Sequence, residues 1–303
     1  MNARIHPLPF NAQGLRGLSE RLMVSHHQNN YGGAVKRLGA IRAELAGLSF
    51  ANTPGFHLNG LKREELIASN SVLLHELYFA GFGGDGVSME PGWRLALEAS
   101  FGSVERWREE FVACAKALGG GSGWMLLAYH PRDGLLVNQW AADHTHALAG
   151  GVPVLALDMY EHAYHLDHGA AAGAYVDAFM DNIAWAGVHQ RYQAAVRAAS
   201  EPFGAEADGL QDTHILDVRR SAVFAQASSM IPGARWCDPA AVSTWAADLP
   251  ADQPVTVYCV YGHEVSRAAA LRLRAAGIDA RYLKGGIDGW IKAGQPVVGS
   301  AQG

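Results

Sequence analysis

An aspartate and a histidine four residues apart form the first pair in this sequence that could bind a metal. Asp158 follows the apolar run PVLAL, and His162 lies in the next segment, MYEHAY. The run predicts a short buried strand and MYEHAY predicts a helix, so both side chains can reach one ion where the strand turns into the helix. Carboxylate and imidazole ligands suit iron, manganese or zinc, whereas the lack of clustered cysteines disfavours copper(I) and iron-sulfur sites. Taken alone, the pair also fits a salt bridge at a helix start.

The elements that would position such a site begin with two helices. Apolar positions at mixed three- and four-residue spacing predict helices over 16–48 and 61–80, the first bent near Gly32 and Gly33. The turn-rich segment SFANTPGFHLNG separates them. The N-terminal part is therefore predicted to be a helical hairpin.

The middle of the chain mixes helices and strands. Helices are predicted over 91–118, followed by two short strands on either side of the turn PRDG. The strand PVLALD comes next, and then helical segments broken near Gly169 and Gly173. This part is predicted to be α+β.

The residues after about 199 are predicted to form a linker and a separate domain. The segment ASEPFGAEADGLQD loses periodicity and gathers Pro, Gly and acids, as linkers do. Beyond it strands and helices alternate, which predicts βαβ units and a small parallel sheet in an α/β domain. The predicted division is a helical hairpin domain at 1–89, an α+β metal-binding domain at 90–198, a linker at 199–209 and an α/β domain at 210–303.

Bulk composition limits the classes of function. The 303 residues suit about two domains, and a formal charge of −5 lacks the positive field that nucleic-acid binding requires. The N-terminus MNARIHPLPF resembles no signal peptide, and no apolar stretch is long enough to cross a bilayer, so a cytoplasmic protein without membrane contact is expected. Three cysteines without a CxxC pair indicate neither a disulfide framework nor a structural zinc site.

Several longer motifs resemble the iron/manganese superoxide dismutase family. DMYEHAYHLDHGAAAGAYVDAFMDNIAW is similar to that family's DxWEHAYYLD…YVxxFWNxxNW signature, and GGGSGW also matches. LPFNAQGLRGLSERLMVSHHQNNY resembles the family's opening helix, and HELYFAGFGG resembles its HxFYW segment. The resemblance covers about residues 1–200. It implies one iron or manganese ion per subunit, with a solvent molecule in the fifth position and His26, His75, Asp158 and His162 as protein ligands.

The resemblance also implies an activity. A redox ion in such a site takes an electron from one superoxide, which leaves as oxygen, and gives it with two protons to another, which becomes hydrogen peroxide. The alternative is a metal-binding scaffold or redox sensor with low turnover, and zinc hydrolase chemistry is a distant third. Glu161 resembles the residue that reaches across the family's homodimer to the partner's ligand histidine, so a homodimer through Glu161 and His162 is implied.

The region around the first ligand departs from the family pattern. His27 is the rival of His26, although the register of the motif favours His26. Where the family has a histidine and a tyrosine that relay protons, this chain has Asn30 and Ala34. Tyr31 is one candidate to replace this gateway, and His165, in place of the second tyrosine of HAYY, is a candidate to supply the missing imidazole.

A second departure concerns the residue that tunes the metal-bound solvent. The family usually has a glutamine there, whereas WAADHTHA offers His144 or His146. His144 fits the spacing to PVLAL better, so it is the predicted residue.

The C-terminal segment resembles the rhodanese fold over about 210–298. The motifs that carry this likeness are ILDVRRSAVFAQASSMIPGA, VYCVYGHEVSRAAALRLRAAG and YLKGGIDGW. Cys259 ends an apolar strand before a helix, where amide groups can stabilise a thiolate or an anion. It occupies the position of the family's sulfur-carrying cysteine, and the alternative is a binding module without catalysis. Glu264 replaces an expected arginine in the loop. A carboxylate that points into the anion cradle would raise the pKa of the thiol and repel anionic sulfur donors, unless Arg267 or His263 compensates its charge.

Overall fold

The N-terminal part of the chain is a hairpin of helices. A computed structural model describes residues 4–210, 212–250 and 253–300, so the ends of the predicted first and last domains, 1–3 and 301–303, lie outside the described residues. The hairpin elements are α1 (Glu20–Ser25), a π-helical segment (His26–Tyr31), α2 (Gly32–Gly47) and α3 (Gly55–Phe79). Ser19 caps α1 by accepting a hydrogen bond from the Leu22 amide at 3.1 Å. The helical hairpin that the sequence predicts is confirmed.

The middle part packs helices against a short antiparallel sheet. Its elements are α4 (Pro91–Phe101), α5 (Val104–Ala117), β1 (Trp124–His130), β2 (Leu135–Ala141), β3 (Val152–Asp158), α6 (His165–His168), α7 (Ala172–Asp181) and α8 (Trp185–Ser200). Within the described range the sheet has three strands in the order β2-β1-β3. Trp124 of β1 lies opposite Asp158 of β3, so this register places both residues at one end of the sheet. No described helix is long and apolar enough to cross a membrane.

The irregularities of the helices lie at or next to the glycines that predict them, except at Gly173. The first helix changes geometry in the π-helical segment that precedes Gly32, and both Gly32 and Gly33 belong to the regular helix α2. Gly173 lies inside α7, where its backbone is helical. The break predicted near Gly169 is present between α6 and α7, where Gly169 has a φ of 53°, and a second break falls between α7 and α8.

The C-terminal part is an α/β domain. Its elements are β4 (Gly204–Ala205), β5 (His214–Asp217), α9 (Ser221–Phe224), β6 (Ser229–Met230), β7 (Arg235–Trp236), α10 (Val242–Trp245), β8 (Val255–Tyr258), α11 (Glu264–Ala275), β9 (Ala280–Leu283), α12 (Gly286–Lys292) and β10 (Val298–Gly299). Five strands of the described chain form a parallel sheet in the order β4-β9-β8-β5-β7. Strand β4 pairs with β9, although it lies within the segment that the sequence predicts as a linker.

The C-terminal domain packs against the rest of the chain. Helix α11 of the C-terminal part contributes Ala268 and Leu271 to the hydrophobic core formed by the N-terminal and middle parts. Gly134, at the turn between β1 and β2, has a positive φ of 67° and packs against Arg272. Arg267 of α11 pairs with Glu201, just beyond α8, at 3.2 Å. Helix α8 contacts both β3, the strand that ends at Asp158, and α11, the helix that follows the Cys259 loop. The two helices therefore connect the antiparallel sheet with the cysteine loop.

The glycine before β1 has a conformation that other residues rarely adopt. Gly123 has a φ of 134°, and a Cβ added there would lie 2.1 Å from the Ala141 carbonyl oxygen. We expect Gly123→Ala to destabilise the protein by about 2 kcal/mol or more, because it adds backbone strain and a clash with backbone that cannot move away. The measurement is the midpoint of urea unfolding followed by tryptophan fluorescence.

Gly121→Ala is the matched control. Its Cβ would meet the Leu118 carbonyl oxygen at 3.5 Å, an ordinary van der Waals distance. The midpoint of Gly121→Ala should stay close to that of the parent. Equal midpoints for both variants would show that Gly123 imposes no special constraint.

Candidate metal centre

Four side chains from separate parts of the first 200 residues converge on one point. The Nε2 atoms of His26 and His162 each lie 3.1 Å from Asp158 Oδ2, and His75 Nε2 lies 3.4 Å from the same oxygen. One ligand atom from each of these four residues lies within 4.8 Å of the others. The structure therefore brings together all four residues that the sequence predicts as metal ligands.

Each ligand candidate comes from a different local structure. His26 is the first residue of the π-helical segment, a geometry that often marks functional sites. His75 lies near the end of α3, Asp158 is the last residue of β3, and His162 lies in a 3₁₀ turn, Glu161–Ala163. The hairpin therefore supplies two imidazoles, and the end of the sheet supplies the carboxylate and the third imidazole.

Asp158 is a buried carboxylate with several donors. Its Oδ1 accepts a hydrogen bond from the Tyr160 amide at 2.9 Å, and its backbone carbonyl accepts one from the Tyr175 hydroxyl at 2.7 Å. Burial would raise the pKa of Asp158, but the hydrogen bonds with His162 and His26 hold that pKa well below its ordinary value. Asp158 is therefore an anion at neutral pH.

His75 shows that the cluster suits a cation. Its Nδ1 donates to the Ser71 carbonyl at 2.6 Å, and burial lowers the pKa of His75 to about 3, so the ring is neutral and Nε2 carries a lone pair. That buried Nε2 has no hydrogen-bond partner, and it faces the Asp158 carboxylate. Two acceptors that face each other in a buried site repel, and a cation between them removes the repulsion. Three imidazoles and a carboxylate are a donor set that fits iron or manganese.

His144 lies beside the cluster with a fixed orientation. Its Nδ1 accepts a hydrogen bond from the Trp124 indole N–H at 2.9 Å, and its ring stacks on Tyr160 with centroids 4.8 Å apart. Because Nδ1 is an acceptor, the proton of the neutral ring is on Nε2. Burial lowers the pKa of His144, which favours this neutral form.

The rival histidines lie elsewhere. His27 is half-buried, and its Nε2 bonds the His6 carbonyl oxygen at 2.7 Å. His146 is exposed, accepts a hydrogen bond from the Ala142 amide and stacks on Trp140. The structure thus brings His26 and His144, the residues preferred from the sequence, to the site.

The two predicted gateway residues are not brought to the open side of the cluster. The Tyr31 hydroxyl donates to Glu76 at 2.8 Å and accepts from the His6 amide at 2.9 Å, so it is engaged away from the cluster. His165 is exposed on α6, and it contacts none of the four ligand candidates within this chain. The Tyr31 ring lies 6.4 Å from the His75 ring, centroid to centroid, and the gateway roles of Tyr31 and His165 stay predictions.

A cavity of about 300 Å³ occupies the place where the gateway was expected. Its lining includes Asn30 and Ala34 on the helical side, Arg37 further along α2, and the rings of His75, His144 and His162. Small side chains at positions 30 and 34 therefore leave a path from solvent to the cluster.

Sequence reasoning missed three residues that hold the site in place. Trp124 orients His144, Ser71 fixes the tautomer of His75, and Tyr175 binds the backbone of Asp158. Ser71 lies one helical turn before His75, a spacing from which its role could have been inferred. Trp124 ends the GGGSGW motif, but only the strand register reveals its partner.

The cysteine loop places Glu264 next to a histidine that the sequence does not suggest as its partner. Cys259 is buried, and its Sγ lies 3.2 Å from the Ser266 hydroxyl. Glu264 Oε1 lies 3.5 Å from Nε2 of His189, which belongs to helix α8 of the middle part. Burial would raise the pKa of Glu264, but contacts with His189 and with the first amide of α11 lower it. Glu264 lines the same cavity as Cys259, and its carboxylate is paired with His189, whereas Arg267, one of the two compensating residues considered from the sequence, pairs with Glu201.

Comparison with known proteins agrees with this geometry. Residues 91–191 match the family of iron/manganese superoxide dismutases, C-terminal domain, and residues 205–293 match the rhodanese-like domain. An iron superoxide dismutase of Cupriavidus metallidurans is 64% identical over 191 residues, which cover 63% of this chain and 96% of that protein. A manganese superoxide dismutase of Haloferax volcanii is 34% identical over 200 residues, covering 65% of this chain and 98% of that protein.

An iron superoxide dismutase of Aquifex pyrophilus is 33% identical over 194 residues, which cover 61% of this chain and 89% of that protein. The chain belongs to the iron/manganese superoxide dismutase family, and its C-terminal part is a rhodanese-like domain. Both family resemblances and the fold class predicted from the sequence are confirmed.

The buried histidines predict how the metal-free protein responds to acid. His26 and His75 have pKa values lowered by burial from 6.5, that of His75 to about 3. The unfolded chain binds protons below pH 6.5 that the folded histidines do not bind, so stability is complete above that pH and is lost as pH falls toward about 3. Each such histidine lowers the free energy of unfolding by about 1.4 kcal/mol per pH unit.

Urea unfolding of chelator-treated protein at a series of pH values measures this slope. His75→Gln removes the contribution of this histidine and should reduce the slope by about 1.4 kcal/mol per pH unit between pH 6.5 and about 3. An unchanged slope in that variant would show that His75 is protonated in the folded, metal-free state.

Proposed function

We propose that the N-terminal and middle parts of this chain form a superoxide dismutase. One iron or manganese ion per subunit would be held by His26, His75, Asp158 and His162. The observation that carries the proposal is the lone pair of His75 Nε2, which faces the buried Asp158 carboxylate at 3.4 Å. The identity to an iron superoxide dismutase over 96% of that protein supports the same function. When bound, the metal would exchange one electron with superoxide, giving oxygen in one half-reaction and hydrogen peroxide in the other.

The protein residues set the charge around that exchange. Asp158 supplies one negative charge, and burial keeps His26 and His75 neutral by lowering their pKa values. A site with a single anionic protein ligand leaves most of the charge of the ion to be balanced by solvent and substrate. Such partial neutralisation keeps a small anion attracted to the centre.

His144 would position protons near the site. With Nδ1 occupied by the Trp124 N–H, its Nε2–H is the donor that faces away from Trp124. Stacking on Tyr160, whose ring also stacks on His162, limits rotation of the imidazole. His144 therefore takes the place of the family's glutamine as a donor of fixed direction.

The open cavity would admit the substrate. Its volume of about 300 Å³ accommodates superoxide and several water molecules. Water in this cavity, together with Asn30, would deliver protons in place of the family's usual gateway side chains.

We also propose a homodimer. Glu161 and His165 are exposed, and Leu166, which follows His165 on α6, is 49% exposed. This surface adjoins His162, so a second subunit would cover the open side of the ligand turn. In such a dimer His165 would lie at the cavity of the partner subunit and supply the gateway imidazole there. This role stays a prediction. A cytoplasmic location also stays a prediction from the sequence.

The proposed domain division keeps the ranges 1–89, 90–198, 199–209 and 210–303. Strand β4, inside the linker range, would belong with the sheet of the last domain because it pairs with β9. In that domain Cys259 would carry sulfur as a persulfide. The position of its Sγ between the end of β8 and the start of α11 supports this role.

A metal-binding sensor with low turnover is the second candidate. The observation that favours it is the replacement of the gateway side chains by Asn30 and Ala34. Turnover per bound metal separates the two functions. A dismutase restores superoxide decay in proportion to iron or manganese content, whereas a sensor binds metal without that proportional gain.

Asp158→Asn tests the metal centre. The change keeps the shape of the side chain and removes its charge, so we expect metal occupancy to fall at least about tenfold and superoxide decay per chain to fall with it. Metal analysis and a superoxide-decay assay on the same sample measure both. Asp133→Asn, at a half-buried aspartate in the turn between β1 and β2 that contacts His130, is the control and should retain both. Full occupancy and activity in Asp158→Asn would refute the ligand assignment.

Trp124→Phe tests the orientation of His144. It retains an aromatic ring and removes the N–H that fixes the imidazole, so activity per bound metal should fall roughly fivefold while metal occupancy is kept. The pH profile of turnover should shift as well, because the His144 tautomer is no longer fixed. Trp107→Phe is the control, since Trp107 is equally buried and its N–H binds Asn138 away from the site. Identical pH profiles in Trp124→Phe and parent would exclude this role.

A further inference from the structure

A cavity of about 630 Å³ lies between the rhodanese-like domain and the dismutase part, which comprises the N-terminal and middle parts of the chain. The dismutase part contributes Ala99 of α4 and Asp133 and Leu135 of the β1–β2 hairpin to its lining. The rhodanese-like domain contributes the region of α10 and the C-terminal end of α11. The cysteine loop precedes the other end of α11, so this cavity is separate from it.

The walls of the cavity are mostly apolar. Apart from Asp133, Ser243 and Arg272, the described residues that line it are glycine, alanine, valine, leucine and isoleucine. Its volume falls within the range of about 300–1,000 Å³ that is usual for small-molecule sites. A sugar or another polar body would lose its hydrogen bonds to water here, because the walls offer few polar groups in return. The cavity therefore suits a ligand with an apolar body.

Arg272 gives this cavity a positive charge. Its Nη1 donates to the Pro239 carbonyl at 3.0 Å, whereas its buried Nε has no hydrogen-bond partner. Among the described residues no carboxylate forms an ion pair with Arg272. Burial lowers the pKa of Arg272, which reflects the cost of holding a cation away from water without a counter-charge. An anion in the cavity would supply both the missing charge and the missing acceptor.

The neighbours of Arg272 do not replace that anion. Asp133 lines the same cavity, but its carboxylate contacts His130 Nδ1 at 2.8 Å and Arg132 Nη1 at 3.8 Å. The hydroxyl of Tyr129 is buried and has no hydrogen-bond partner among the described residues. Burial raises the pKa of Tyr129, and the nearby charge of Arg272 opposes that rise. Tyr129 is therefore a neutral donor near Arg272 and not its counter-charge.

We propose that this cavity binds a small carboxylic acid with an apolar body, its carboxylate on Arg272 and its hydrocarbon chain along the alanine-rich walls formed by α10 and α11. The planar guanidinium matches the geometry of a carboxylate. The single cation of the lining balances the one negative charge of a monocarboxylate, whereas a phosphate monoester carries nearly two. The site depends neither on the metal centre nor on the reactivity of Cys259.

Binding of octanoate to the full-length, metal-containing protein tests the site, with isothermal titration calorimetry as the measurement. We expect one saturable site per chain. Decanoate should bind about tenfold more tightly than octanoate, because it buries two more methylene groups. Octylammonium has the same chain and a positive head group, so it should bind at least about tenfold more weakly than octanoate.

Two variants separate the charge from the space. Arg272→Met keeps an unbranched side chain and removes the charge, so octanoate affinity should fall at least about tenfold. Ala247→Trp, at an exposed position of the lining, fills the cavity while the charge of Arg272 stays in place, and it should block binding. Arg281→Met, at an exposed arginine of β9, is the charge-matched control and should keep the parental affinity. Unchanged superoxide decay in each variant shows that the dismutase part is folded.

Two outcomes would overturn the proposal. Absence of saturable octanoate binding to the parent at millimolar concentrations would show that the cavity takes no such ligand. Equal octanoate affinity in the parent and in Ala247→Trp, or equal affinity of the parent for octanoate and octylammonium, would show that the chain binds elsewhere or without Arg272. Because these comparisons do not use Arg272→Met, they decide the question even if that variant does not fold.

Discussion

The burial of one carboxylate, Asp158, is the constraint on which the rest of the dismutase part depends. An isolated charge inside a protein costs several kcal/mol, so its oxygens need donors and counter-charges. The Tyr160 amide serves Oδ1, while three imidazoles surround Oδ2. Two of those imidazoles come from the helical hairpin, and the third comes from the turn after β3. Hairpin and sheet must therefore dock correctly before this charge is stabilised, and the lone pair of His75 leaves a cation as the missing partner.

Helix α8 connects this centre to the rest of the chain. Arg191 donates to the Val154 carbonyl at 2.8 Å, and Val154 belongs to the strand that ends at Asp158. Two residues earlier on the same helix, His189 faces Glu264 and the cavity beside Cys259. One helix thus contacts both the strand of the metal centre and the cysteine loop. The rhodanese-like domain is therefore packed against the dismutase part, and Pro91, Gly92 and His189 line one side of its cysteine loop.

The sequence predicts the fold and the metal ligands correctly where the residues that decide them are close together in the chain or belong to long motifs. Asp158 and His162 lie four residues apart, and both domains are recognisable from their motifs. Prediction fails where a tertiary partner decides direction. The hydroxyl of Tyr31 is turned by Glu76 and by the N-terminal segment, and neither contact follows from local spacing. Glu264 lies 3.5 Å from His189 of another domain, a contact that local spacing cannot reveal, and strand β4 is too short to show a periodic pattern.

The most direct test of the central claim is an anomalous-difference map from crystals of the protein loaded with iron or manganese, recorded at the absorption edge of the metal. The account predicts one strong peak per chain, located among the Nε2 atoms of His26, His75 and His162 and the Oδ2 atom of Asp158. A chain that binds the metal in solution yet gives its peak elsewhere, for example in the cavity beside Cys259, would contradict the account.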